Sequence, residues 1–152
     1  MATATTTKTA PAKRLQKART KLVLTQDPRL VFLAHLAQVP DRLDPAVPTA
    51  CTDGSVIRWN PDFIDTLGDD ELFAILLHEL MHIGLLHNVV AANYEDHKRL
   101  NIAADLAVNS ILEEIGQKLP DFTLLPGRDP FRDQPKGQTL EFYYHAIKGK
   151  PD

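Results

Sequence analysis

Apolar positions recur at helical spacing through most of this chain, and the places where that spacing breaks divide it into elements. Leu15, Ala18 and Leu22 lie at i, i+3 and i+7, one stripe of an amphipathic helix predicted over about 11–25. Asp27-Pro28 opens a second helix through Leu30, Val31, Leu33, Ala34 and Ala37, and Val39-Pro40 closes it, because the residue before a proline is pushed out of the helical region. The proline-bearing stretch 40–48 reads as a loop. Segments 49–52 and 55–60 then flank Asp53-Gly54, a two-residue turn that predicts a β-hairpin. Its second strand is a candidate edge for pairing with an extended peptide. Asn60-Pro61 ends that strand and leads into a short helical turn over 61–67.

From Leu72 to Leu86 the apolar residues cover nearly every face, which predicts a long, largely buried helix, capped at Gly68 or Asp69 and started by three acids that suit its positive end. A second buried helix is predicted over 94–116 from Leu100, Ile102, Ala103, Leu106, Ala107, Val108, Ile111, Leu112 and Ile115. Thr139 caps a final helix carrying Tyr143 and Tyr144, where core packing is the default expectation. The fold class that follows is α+β: a tail over 1–10, then one helix-rich domain over 11–152 with a small sheet containing the 49–60 hairpin.

Polar residues inside the two buried helices are costly and need partners. The first helix carries His78-Glu79-Leu80-Met81-His82. Residues four apart share a helix face, so both imidazoles can reach one metal ion, and Glu79 can act on a water bound to it. A catalytic zinc site usually takes three protein ligands, so a third is needed. His87 completes H-E-x-x-H-x-G-x-x-H but would lie about 140° around a continuous helix from His82, and can ligate only if the helix breaks at Gly84. The second helix offers a better candidate. Asn101, Asp105 and Asn109 form a row at i, i+4, i+8, and a carboxylate in the middle of that apolar helix demands a cation or several donors. Zinc held by His78 and His82 supplies one, provided the two helices cross. His87 and His97 remain the alternatives to Asp105. An oxyanion donor can come from His87, His97, Tyr143, Tyr144 or His145.

Length and charge add limits. At 152 residues the chain is long enough for one core without disulfide staples. A net charge of −3 gives no global nucleic-acid signal, and although residues 8–21 hold six basic side chains and no acid, no aromatic residues interleave with them to stack bases. The Thr-rich, acid-poor start mimics an organellar transit peptide, but the Leu15 stripe favours a helix of the fold, and no apolar segment of secretory type follows the basic residues. One cysteine, Cys51, excludes a cysteine-based zinc site and fits a reducing, cytoplasmic setting, where it is expected to be a buried strand residue. Charged residues or histidines interrupt every apolar run before it reaches membrane-spanning length.

Taken together, Thr52-Asp53-Gly54, Trp59-Asn60-Pro61, the H-E-x-x-H run, Asn101-Ile102-Ala103-Ala104-Asp105 and Asn109 resemble a family of zincin-like metallopeptidase domains. Such domains typically form the N-terminal part of bacterial and phage proteins that also carry a von Willebrand factor A-like domain. The resemblance runs from about Arg14 to about Lys148. It implies that His78, His82 and Asp105 are zinc ligands and Glu79 the catalytic residue. The chain ends near residue 152, with no room for the A-like domain, so a separate protein partner is expected in its place. The leading expectation is therefore a zinc metallopeptidase acting on a peptide or protein substrate. The alternative is a non-catalytic zinc-binding scaffold or interaction module within a phage or multi-protein assembly.

Overall fold

The computed structural model describes residues 10–147, so the expected tail lies outside the described residues except for Ala10. Helix α1 (Pro11–Val23) starts on a proline whose fixed φ suits a first helical position, and it buries Leu15, Ala18 and Leu22 as the stripe requires. Four of its five basic side chains, Arg14, Lys17, Arg19 and Lys21, are engaged within the fold. Arg14 donates to the Ile64 and Leu67 carbonyls at 2.7 and 2.6 Å and to Asp69 at 3.0 Å. Lys17 and Lys21 reach Asp69 and Asp70.

The second predicted helix shrinks to one turn, α2 (Val31–Ala34), with Leu30 and Leu33 buried. Beyond it the backbone closes i to i+3 bonds, Leu36 to Leu33, Ala37 to Ala34 and Val39 to Leu36, as the chain unwinds toward Pro40. The predicted 40–48 loop contains a strand, β1 (Asp41–Leu43), which pairs in parallel with β3 (Ile57–Trp59). Sequence pattern does not reveal it because its stabilising partners are polar and remote. Arg19 clamps Asp41 through two bonds of 2.6 and 2.9 Å, and Trp59 Nε1 donates to the same carboxylate at 2.9 Å. Both the Arg19 and Asp41 side chains are only 16% exposed. Asp41→Ala is therefore expected to strand the guanidinium and the indole N–H and to cost about 3–5 kcal/mol. A fall in the urea midpoint at constant m-value measures this, and a loss below about 1 kcal/mol would show the pair to be solvent-screened.

The hairpin is present but longer in its turn than expected. Strand β2 (Ala50–Thr52) runs antiparallel to β3, with Ala50 opposite Trp59 and Thr52 opposite Ile57. Four residues join them, because Asp53 Oδ1 accepts from the Ser55 and Val56 N–H groups while the Thr52 hydroxyl donates to the Val56 carbonyl. Gly54 supplies the positive φ of 97° that this loop needs. Sheet order β1-β3-β2 puts β3 in the centre, so the expected edge at 55–60 is corrected: the hairpin's exposed edge is β2. Cys51 lies on that strand and is exposed, not buried.

Asn60 caps α3 (Pro61–Asp65), and Gly68 starts α4 (Asp69–Gly84), with its N–H held by Glu71. After α5 (His87–Val90) and a 3-10 turn, Asp96 caps α6 (His97–Glu114), which ends before Gly116. The chain then crosses 117–138 without regular structure to α7 (Leu140–Ala146), capped by Thr139 as expected. Helix α6 divides two cores. Val108 and Leu112 join the core of α1, α4 and the sheet, whereas Leu100, Ala103 and Leu106 join Phe131, Tyr143 and Tyr144. This is the expected α+β class, and among the described residues no single helix is long and apolar enough to cross a membrane.

Candidate metal centre

Helices α4 and α6 pack against each other beside a cleft of about 540 Å³. Asp105 lines it from α6, and His78, Glu79 and His82 line it from α4. His78 Nε2 and His82 Nε2 lie 2.9 Å apart, and Asp105 Oδ1 is 3.2 and 3.1 Å from them. Among the described residues these three form the group able to hold a metal ion. An ion bound tetrahedrally at about 2.1 Å from each would separate its ligand atoms by about 3.4 Å. The observed triangle is within about 0.5 Å of that on every edge, and three lone-pair-bearing atoms converge so closely at low cost only with a cation or proton between them.

The outer nitrogens are also held. His78 Nδ1 donates to Asn109 Oδ1 at 2.7 Å, and Asn109 is itself fixed by donating to the Leu124 carbonyl at 3.0 Å. A proton on Nδ1 leaves Nε2 free as a ligand, the usual role of a partner behind a metal-binding histidine. The i+4 step from Asp105 to Asn109 thus serves two functions on one face, which the sequence row suggests. The Leu124 carbonyl lies in a segment without periodicity and has no sequence signal.

Helix α4 does stop at Gly84, and Leu86 takes a left-handed φ of 60°. That break returns His87 to the site, with its Nδ1 2.9 Å from His82 Nδ1, behind the ring and away from Asp105. His97 is exposed in the first turn of α6, so neither alternative joins the triangle. Tyr143 donates to the Pro135 carbonyl, Tyr144 accepts from the Asp96 N–H, and His145 is exposed on α7. Of the five expected oxyanion donors, only His87 lines the cleft.

The electrostatics favour positive charge at the centre. Burial pulls His78 downward, but the Asp105 hydrogen bond and the charges of Glu79 and Asp105 outweigh it and raise its pKa to about 9. Burial works against the Asp105 carboxylate too, yet hydrogen bonds from His78 and His82 hold it well below the usual range. Glu79 is only 6% exposed, and burial pushes its pKa up against the pull of the two histidines. Its Oε2 stands 3.9 Å from His78 Nε2. The cleft thus combines a cation-seeking triangle with a buried carboxylate next to it.

No curated protein and no solved structure matches the chain. Over residues 10–150, nearly its whole length, it matches a family model described as "Putative metallopeptidase domain", and the chain belongs to that family.

Proposed function

We propose that the chain is a zinc-dependent peptidase in which His78, His82 and Asp105 hold the metal and Glu79 is the general base. Two imidazoles and one carboxylate are a donor set suited to zinc, and three protein ligands leave a coordination position open. When bound there, zinc lowers the pKa of a water and polarises the scissile carbonyl. Glu79 takes a proton from the attacking water on its carboxylate and passes it to the leaving amine nitrogen. Asn109 keeps His78 in the tautomer that binds metal. The observation that carries this reading is the convergence of His78, His82 and Asp105 beside a buried glutamate in an open cleft.

The cleft's rim offers strand backbone that can pair with an extended peptide. Asn60 N–H donates to the Thr49 carbonyl at 2.7 Å, so Cys51 and Arg58 form the next hydrogen-bonded pair and Ala50 and Thr52 turn their backbone groups to the outer side. Asn88 occupies the Thr52 carbonyl at 3.0 Å, which leaves Ala50 to pair with substrate backbone at the rim of the cleft. Phe63 and Phe122, in edge contact at 5.9 Å, give the same cleft an apolar wall for a substrate side chain.

Metal analysis joined to cleavage of a broad peptide library tests the function. Purified protein is expected to hold one zinc and cut a subset of peptides, to stop when chelated and to resume when zinc is returned. Stoichiometric zinc with an intact library would leave the scaffold reading in its place.

A further inference from the structure

His82 raises a problem that the metal triangle alone does not solve. Its Nε2 must carry a lone pair toward the site, so its proton must sit on Nδ1, and a buried N–H needs an acceptor. Such an acceptor is commonly a carboxylate or a backbone carbonyl. Here the atom facing it is His87 Nδ1, at 2.9 Å. The imidazole rings meet edge to face, with centroids 5.1 Å apart.

The chain departs from helical geometry to bring this about. Unbroken, α4 would carry His87 about 140° around from His82. Instead α4 ends at Gly84, and the helical segment His87–Asn93 leaves at 52° to it. Between them Leu86 is the one non-glycine residue with positive φ among those described. A left-handed leucine is disfavoured backbone, and such strain concentrates where function fixes the chain.

We propose that His87 is a positioning residue for the metal centre: it accepts the Nδ1 proton of His82, locks that ring's tautomer and plane, and is delivered there by the break at 84–86. The proposal rests on the metal-site reading above. His87 thereby matches Asn109 behind His78, so each imidazole is anchored at its outer nitrogen by an uncharged acceptor. Because His87 Nδ1 offers its lone pair to the His82 Nδ1–H, the single proton of His87 itself is on Nε2.

Two replacements separate acceptor from filler. His87→Phe keeps an aromatic ring of similar volume and removes the acceptor. His87→Asn places an amide oxygen close to the former Nδ1 position. Zinc affinity is read by competition with a chromophoric chelator, beside far-UV circular dichroism and the melting temperature of each metal-stripped protein. Binding by His87→Phe is expected to weaken about 10–100-fold, with His87→Asn recovering most of that loss. The visible spectrum of the cobalt-substituted His87→Asn protein should keep the wild-type band pattern, because the ligand set is unchanged. Wild-type affinity in His87→Phe would overturn the proposal, as would equal weakening in both variants. A cobalt spectrum altered in His87→Asn would make His87 a ligand and overturn it as well. If wild-type protein itself binds no zinc, the metal reading fails and this proposal with it. Wild-type binding that is indifferent to His87 removes only the proposal.

Discussion

Glu79→Gln is expected to keep stoichiometric zinc and to lower peptide turnover by about 10²–10⁴-fold, the usual contribution of a positioned general base. Glutamine matches glutamate in shape but cannot take a proton. The residue is only 6% exposed and lines the cleft, where its carboxylate can meet a water. Its position one residue after His78 puts Oε2 3.9 Å from that residue's Nε2, beside the proposed metal position without being one of the three converging atoms. The loss should therefore fall on kcat, with KM little changed, because a base acts in the transition state and not in substrate binding. Retention of more than about a tenth of wild-type turnover, with zinc bound, would remove Glu79 from the base's role.

Much of this geometry was legible because it rests on helical periodicity. The stripe in α1, the buried faces of α4 and α6, and the row from Asp105 to Asn109 all follow from 3.6 residues per turn, and the cost of burying polar groups points the two helices at each other. What stayed hidden depends on contacts remote in sequence. Strand β1 is held by Arg19 and Trp59 through Asp41, a polar clamp that no local pattern announces. Its parallel pairing with β3 moves the free edge of the hairpin from 55–60 to β2. The short α2 shows the opposite failure: its apolar spacing is helical, but Pro40 downstream and the i to i+3 turns before it end the helix early. His87 was visible as an oddly spaced third histidine, and the sequence identified the break at Gly84 as the condition for its reaching the site. The break occurred and His87 arrived behind His82, since which nitrogen it meets depends on the left-handed Leu86 and not on spacing.

A metal bound as proposed would make metal binding and folding interdependent, because the site lies between the two cores. Asp105 is on α6, whose neighbours Ala104 and Leu106 pack into the core with α7, whereas His78 and His82 are on α4 in the other core. An ion shared by these side chains therefore ties the two halves together, and its removal should loosen the crossing of α4 and α6 before it disturbs α1 or the sheet.

Asp105→Ala tests that tie and the third ligand together. Structural zinc sites bind with about 10–16 kcal/mol spread over four ligands, so loss of one is expected to weaken zinc binding by about 10²–10³-fold. Wild-type protein with free zinc about 1,000-fold above its dissociation constant should gain about 4 kcal/mol in stability, or about 8–16 °C in melting temperature for a domain of this size. At the same zinc concentration the variant should gain about 1 kcal/mol. Protons report the same contact. In metal-stripped wild type, the raised His78 pKa contributes stability that is fully present below 6.5 and is lost as pH rises through about 9. The depressed Asp105 pKa contributes stability present above 3.8 and lost as pH falls through its lower folded value. Stripped wild type should thus weaken between pH 6.5 and 9, while zinc, which displaces the His78 proton, removes that dependence. Zinc binding at pH 7 should accordingly release a proton, measured by calorimetry in buffers of different ionisation enthalpy. Without the Asp105 carboxylate, burial again governs His78 and that release should largely disappear. A variant that binds zinc as tightly as wild type and releases the same proton would exclude Asp105 as the third ligand and return the assignment to another donor in the cleft.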